Sequence, residues 1–177
     1  MQAYVLIGGR SRRMGVSKTA LFLERIVKAA RPVFDEIIAV QRVGGQAADG
    51  IRTIHEENHE GDGAIFGVAA ALRDARARCF ILAVDYPLVT SELLRDLAES
   101  GGVPVWNGRP QPLCAVWDPA VLPRIEARIA GGLYDLQALV EQEIIPEPVL
   151  RARFPGEPLM NVNTPEELEA AERLYGQ

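Results

Sequence analysis

Three observations predict an α/β chain built as a three-layer, doubly wound, mostly parallel sheet. Short apolar runs alternate with helix-period segments over the first hundred residues, the order that places helices on both faces of a parallel sheet. The strand-like runs end on residues suited to ligands: glycines after Ile7, acids after Ile54 and an aspartate after Val84. Such sheets bind ligands beyond the carboxyl ends of their strands. A length of 177 residues with 48% hydrophobic content suffices for one sizeable core. Neither a repeat, a low-complexity tract nor a linker interrupts residues 1–177, so one domain is expected.

Taken in order, residues 3–7 read as a short buried strand ending in Gly8-Gly9. Leu21, Phe22, Ile26 and Val27 then recur at helical spacing over 19–30, and Arg31-Pro32 stops that helix. Residues 36–40 read as a second buried strand, 43–50 as a Gly-rich loop and 51–55 as a short third strand. A polar turn over 58–63 leads into a helix over 64–76, with Ile65, Val68, Ala69 and Leu72 on its buried face. Residues 79–84 form the most strand-like run and deliver Asp85-Tyr86-Pro87. Thr90 caps a helix to about Glu99, which Gly101-Gly102 ends. Strands are predicted over 103–106 and 113–117, with Asn107-Gly108-Arg109 turning between them. Helices are predicted over 119–130 and 135–143, a late strand over 144–149 and an irregular stretch over 151–160. Thr164-Pro165-Glu166-Glu167 is a capping box that launches a last helix to about Tyr175.

Composition narrows the function. No run of about eighteen apolar residues exists, and no basic-then-apolar leader opens the chain, so a cytoplasmic protein without a membrane span is expected. A pI near 5.2 argues against a nucleic-acid partner gripped by a broad basic face. Cys79 and Cys114 lie in apolar stretches and read as reduced core residues. His55 and His59 sit in loop-like sequence without a third ligand and read as solvated.

Against a net charge of -5, Arg10, Arg12, Arg13 and Lys18 concentrate four cations within nine positions. Guanidinium groups and a lysine after a glycine turn suit phosphate oxygens, and backbone N–H groups before a helix add attraction. The stretch lacks the Gly-Lys-Ser/Thr end of an ATPase-type P-loop. Asp85, at the end of a central strand stopped by Pro87, suits Mg²⁺, which needs hard oxygen ligands beside substrate phosphates. The same place also suits an Asp that only caps the following turn.

The order Gly8-Gly9-x-Ser11-x-Arg13-Met14-Gly15-x-x-Lys18 resembles the signature loop of nucleotidyltransferases, and within them the molybdenum cofactor guanylyltransferase family. Asp85 before Pro87, and Asn161-Val162-Asn163-Thr164-Pro165, resemble that family's metal-binding strand end and closing motif. The resemblance implies a Rossmann-like nucleotidyltransferase fold with an antiparallel strand late in the sheet. It implies transfer of GMP from GTP to molybdenum-molybdopterin with Mg²⁺ and release of pyrophosphate. Lys18, Arg13 and Asp85 would be catalytic, with Asp85 the metal ligand. Nucleotide contacts would fall on Leu6, Gly8, Gly9, Arg10, Ser11, Gly15, Lys18, Glu56, Gly67 and Asp85. Arg109, Asn161 and Asn163 would face the acceptor. Cofactor-biosynthesis proteins or molybdoenzyme chaperones are further implied partners, and a monomer is expected.

This sequence departs from the family in places. Ser17 replaces the usual Asp before Lys18, Glu56 stands where Asp is more usual, and the segment after Lys18 is several residues shorter. Gly63-Ala64-Ile65-Phe66-Gly67 keeps the flanking glycines of the family's base-side turn and loses its Pro. Gly8-Gly9 favours guanine, whereas related cytidylyltransferases carry Ala-Gly. The alternatives are a molybdopterin cytidylyltransferase, another small nucleotidyltransferase, or a catalytically impaired GTP- or cofactor-binding protein.

Overall fold

The computed structural model describes residues 1–7, 18–44, 50–57, 61–140 and 143–175, with backbone alone at 18–21 and 175. Its first half alternates strand and helix: β1 (Gln2–Leu6), α1 (Lys18–Ala30), β2 (Glu36–Gln41), β3 (Arg52–His55), α2 (Ile65–Asp74) and β4 (Cys79–Ala83). Then follow α3 (Ser91–Ser100), β5 (Val103–Trp106), β6 (Arg109–Pro110), β7 (Cys114–Trp117), α4 (Leu122–Ala130), β8 (Ile144–Ile145), α5 (Glu147–Arg153) and α6 (Pro165–Tyr175).

The main sheet runs β3-β2-β1-β4-β7. Its first four strands are parallel, with Leu6 opposite Val40 on one side and Ala83 on the other, and β7 closes it antiparallel to β4. Strand order reverses between β1 and β4, so the crevice of such a sheet opens where Leu6 and Ala83 end. A small second sheet, β6-β5-β8, carries the remaining strands.

Three layers follow from alternation along β1. Ala3, Val5 and Ile7 face a core with Phe22, Ile26, Leu93, Leu97 and Ala171, drawn from α1, α3 and α6. Tyr4 and Leu6 face a second core with Ile65, Val68, Leu72 and Ile125, drawn from α2 and α4. A strand covered on both faces must be apolar throughout, which is why β4 is an unbroken run of buried residues. Cys79 and Cys114 are buried free thiols, and burial pushes Cys79 up to about 12.

The helix ends obey local chemistry. Thr90 accepts from the Leu93 amide at 3.2 Å, and Gly101 adopts a left-handed φ of 69° at the other end of α3. Thr90→Ala is expected to lower stability by about 1 kcal/mol, read as an earlier denaturant midpoint at unchanged slope. At α6, Thr164 Oγ1 accepts from the Glu167 amide while Glu167 accepts from the amides of Asn163 and Thr164. That is the expected capping box, with Thr164 as the cap.

Three elements differ from the sequence expectation. Asn107 and Gly108 both take positive φ, 50° and 70°, the geometry of a two-residue hairpin turn; Arg109 is therefore released from the turn into β6. The helix expected over 135–143 shrinks to one 3-10 turn, Gln137–Leu139, because only Leu136 and Leu139 have a core to enter. The strand expected over 144–149 ends at Ile145, because Pro146 offers no N–H to a ladder. Pro146 and Pro148 instead open α5, where missing N–H groups cost nothing, and α5 takes in part of the stretch expected to be irregular.

Candidate active site

At the carboxyl edge of the main sheet, the Val84 amide donates to the Leu6 carbonyl at 3.1 Å. This fixes the end of β1 beside Asp85, whose side chain is half-buried. The Val162 amide donates to the Asp85 carbonyl at 2.8 Å. A segment nearly eighty residues downstream is thus tied to the strand end that bears the carboxylate. The tie uses the backbone carbonyl of Asp85 and does not depend on its carboxylate. Burial raises the pKa of both Tyr86 and Cys114, and the charge of Asp85 raises them further.

On the other side of Leu6, Glu56 follows β3 and is buried. Its Oε2 lies 3.7 Å from the Arg42 guanidinium. A Cβ built on Gly67 would sit 3.0 Å from Glu56 Oε1 and 3.2 Å from Leu6 Cδ2. Leu6, Glu56 and Gly67 therefore form one packed corner, and glycine is what lets α2 approach it. Arg42 also donates to the Gly61 carbonyl at 2.7 Å and to Asp62 at 3.1 Å. The Phe66 and Tyr134 rings pack tilted at 53°, centroids 5.1 Å apart, at the same turn.

The third part lies on the small sheet. Arg109 pairs with Trp106 and is exposed. Asn161 Oδ1 accepts from the side chain of Asn163. Asn163 is exposed and Asn161 half-buried. The Tyr86 hydroxyl donates to Gln111 Oε1 at 2.8 Å, and Gln111 Nε2 donates to the carbonyls of Trp106 and Arg109, both at 3.0 Å.

Six of the expected positions, Gly8, Gly9, Arg10, Ser11, Arg13 and Gly15, lie outside the described residues, as does His59. Lys18 opens α1, directly beyond that loop, and is described by its backbone. His55 ends β3 and is exposed. Among the described residues no group of three or more His, Cys, Asp or Glu side chains can hold a metal by itself. No helix among them is long and apolar enough to cross a membrane.

The site thus has one carboxylate at the switch point, a buried second acid to one side and a polar bridge to the other. The sequence from residue 3 to residue 145 matches the model of the MobA-like NTP transferase domain. The chain belongs to that family. It is a nucleotidyltransferase, and the MobA-like domain accounts for the three-layer sheet. A probable molybdenum cofactor guanylyltransferase of Pelotomaculum thermopropionicum is 32% identical, over 94% of this chain and 89% of its own. One of Carboxydothermus hydrogenoformans is 28% identical, over 97% and 94%. The crystal structure of molybdopterin-guanine dinucleotide biosynthesis protein A from Archaeoglobus fulgidus superposes with a TM-score of 0.82 at 27% identity, covering 99% of both chains. A cytidylyltransferase of Thermus thermophilus at 17% identity and a TM-score of 0.66 shares the fold.

Sequence reasoning missed three residues of this MobA-like site: Arg42, Tyr86 and Gln111. Each acts through hydrogen bonds to distant segments, which leave no periodic trace in the chain. The one available signal was position, since Arg42 and Tyr86 each lie just past the carboxyl end of a parallel strand. At the opposite edge, a groove of about 530 Å³ is lined by Gln2, Glu36, Arg52, Asp74 and Arg76. Arg52 pairs there with Glu36 and Asp74, and its hydrogen bonds hold Asp74 below the usual carboxylate range. Those charges serve each other and hold β3 to the end of α2.

Proposed function

We propose that the chain transfers GMP from GTP to the phosphate of molybdenum-molybdopterin, releasing pyrophosphate and forming the guanine dinucleotide form of the cofactor. What carries the reading is end-to-end similarity: relatives described as probable molybdenum cofactor guanylyltransferases align over 94–97% of the chain. The reading takes residues 1–177 as a single nucleotidyltransferase domain acting in the cytoplasm.

In this reading an acceptor phosphate oxygen attacks the α-phosphorus of GTP, and the bond from that phosphorus to the β-bridging oxygen breaks. Such transfer needs mainly positioning and neutralisation of developing charge. Mg²⁺ commonly binds through one or two carboxylates plus substrate phosphates and water. Asp85 offers one hard oxygen ligand at the switch point, so the donor set fits that mode. When bound there, Mg²⁺ would neutralise charge on the triphosphate. Lys18 and Arg13 add positive charge, and the backbone of Gly8, Gly9 and Gly15, with Arg10 and Ser11, holds the phosphates. Leu6, Glu56 and Gly67 border the nucleoside. Arg109 and Asn163 face the acceptor, with Asn161 beside them.

Calorimetric titration with GTP, CTP and ATP in the presence of Mg²⁺ tests the base assignment. GTP is expected to bind most tightly. A preference for CTP would move the chain to the cytidylyl branch, and saturable GTP binding without acceptor-dependent pyrophosphate release would make it a binding protein.

A further inference from the structure

We propose that Tyr86 and Gln111 are positioning residues that lock the acceptor-side hairpin to the nucleotide-side strand end through the Tyr86 hydroxyl. The proposal rests on the reading above for the identity of the acceptor.

The Tyr86 ring is buried at the end of β4, immediately after the proposed metal ligand. A tyrosine phenol carries its proton at neutral pH, so the hydroxyl serves as a donor. The proton goes to Gln111 Oε1 at 2.8 Å. The amide of Gln111 has a single sensible orientation. Its Nε2 faces the carbonyls of Trp106 and Arg109, and a flipped amide would set oxygen against both. The Gln111 backbone is held as firmly: its amide donates to the Pro104 carbonyl at 2.8 Å, and its carbonyl accepts from the Cys114 amide at 3.0 Å. Gln111 therefore stands where the small sheet meets the main one.

Through Gln111, the placement of Arg109 depends on the Tyr86 hydroxyl, one residue beyond Asp85. The segment that bears Asn161 is tied to the same strand end by the Val162 amide on the Asp85 carbonyl. Asn161 then serves by orienting Asn163, which is the more exposed of the pair and the better placed to touch substrate.

The test compares Tyr86→Phe, Gln111→Leu and the double variant. Each single change is expected to raise the acceptor KM about tenfold by freeing the hairpin, while kcat and GTP affinity change less than about threefold. The double variant is expected to match the worse single one, because both remove one shared bond. Additive losses, an unchanged acceptor KM, or an equal loss of GTP affinity would overturn the proposal. A second readout needs no acceptor: amide hydrogen exchange in Tyr86→Phe. Exchange is expected to rise at Gln111 and Cys114 while Val162, held by the Asp85 carbonyl, keeps its protection. No rise at Gln111 and Cys114, or an equal rise at Val162, would overturn the lock whatever substrate the site proves to use. Loss of transfer in the unmodified protein would instead overturn the reading of function.

Discussion

Asp85→Asn is expected to lower nucleotidyl transfer by about 10³-fold while leaving the fold intact. The isosteric change removes the negative charge and keeps the side-chain shape. The hydrogen bond that ties the closing segment to this strand end runs from the Val162 amide to the Asp85 carbonyl, so it survives the substitution. The variant should therefore melt as the parent does, and its defect should lie in chemistry and metal dependence. Pyrophosphate release at saturating GTP, titrated with Mg²⁺, is the measurement. A large rise in the Mg²⁺ needed for half-maximal rate should accompany the loss. Turnover near that of the parent would remove Asp85 from the reaction, and it would then be read as the cap of the following turn.

Lys18→Ala is the companion prediction, with an expected loss of about 10³-fold, the lower end of what a cationic group contributes to phosphoryl transfer. Lys18 is the first residue of α1, where the first backbone N–H groups of a helix have no partner within it and the positive end of its dipole lies. A cation there adds to a field already favourable to phosphate. Single-turnover measurement of the transfer step separates this from weakened binding. Loss of GTP affinity with unchanged single-turnover rate would make Lys18 a binding group only.

The parts of the fold that were legible in the sequence are those with a local cause. The unbroken apolar run of β4 announces a strand covered on both faces, and it delivers Asp85 to the carboxyl edge of the sheet. The capping box at Thr164 and the Gly101 stop of α3 are written within a few residues of where they act. The missed parts depend on what lies opposite. The segment over 135–143 has helical composition, but among its described residues just Leu136 and Leu139 are buried, and one 3-10 turn forms. The apolar stretch after Glu143 looks like a strand until Pro146 removes a donor, and α5 begins. The Tyr86–Gln111 bridge was illegible because neither residue gains its partner from neighbours in the chain. Glu56 and Gly67, which the resemblance placed on the nucleotide side, pack together against Leu6, a closeness that no local pattern in the chain announces.

The pairing of β1 carries a consequence for synthesis. Ala3 lies between Ile37 and Phe80, so the central strand of the sheet is complete on one side long before the other. From Ala3 to Phe80 is a step of 77 positions, which at ribosomal rates takes roughly 4–15 s. For that interval the β4-side edge of β1 has no ladder partner, and α3 and α6, which complete one of its faces, are still to come. An exposed apolar edge of this kind is a template for pairing between chains. The nascent protein is thus most exposed to aggregation before β4 is made, and residues 79–83 end that exposure when they join.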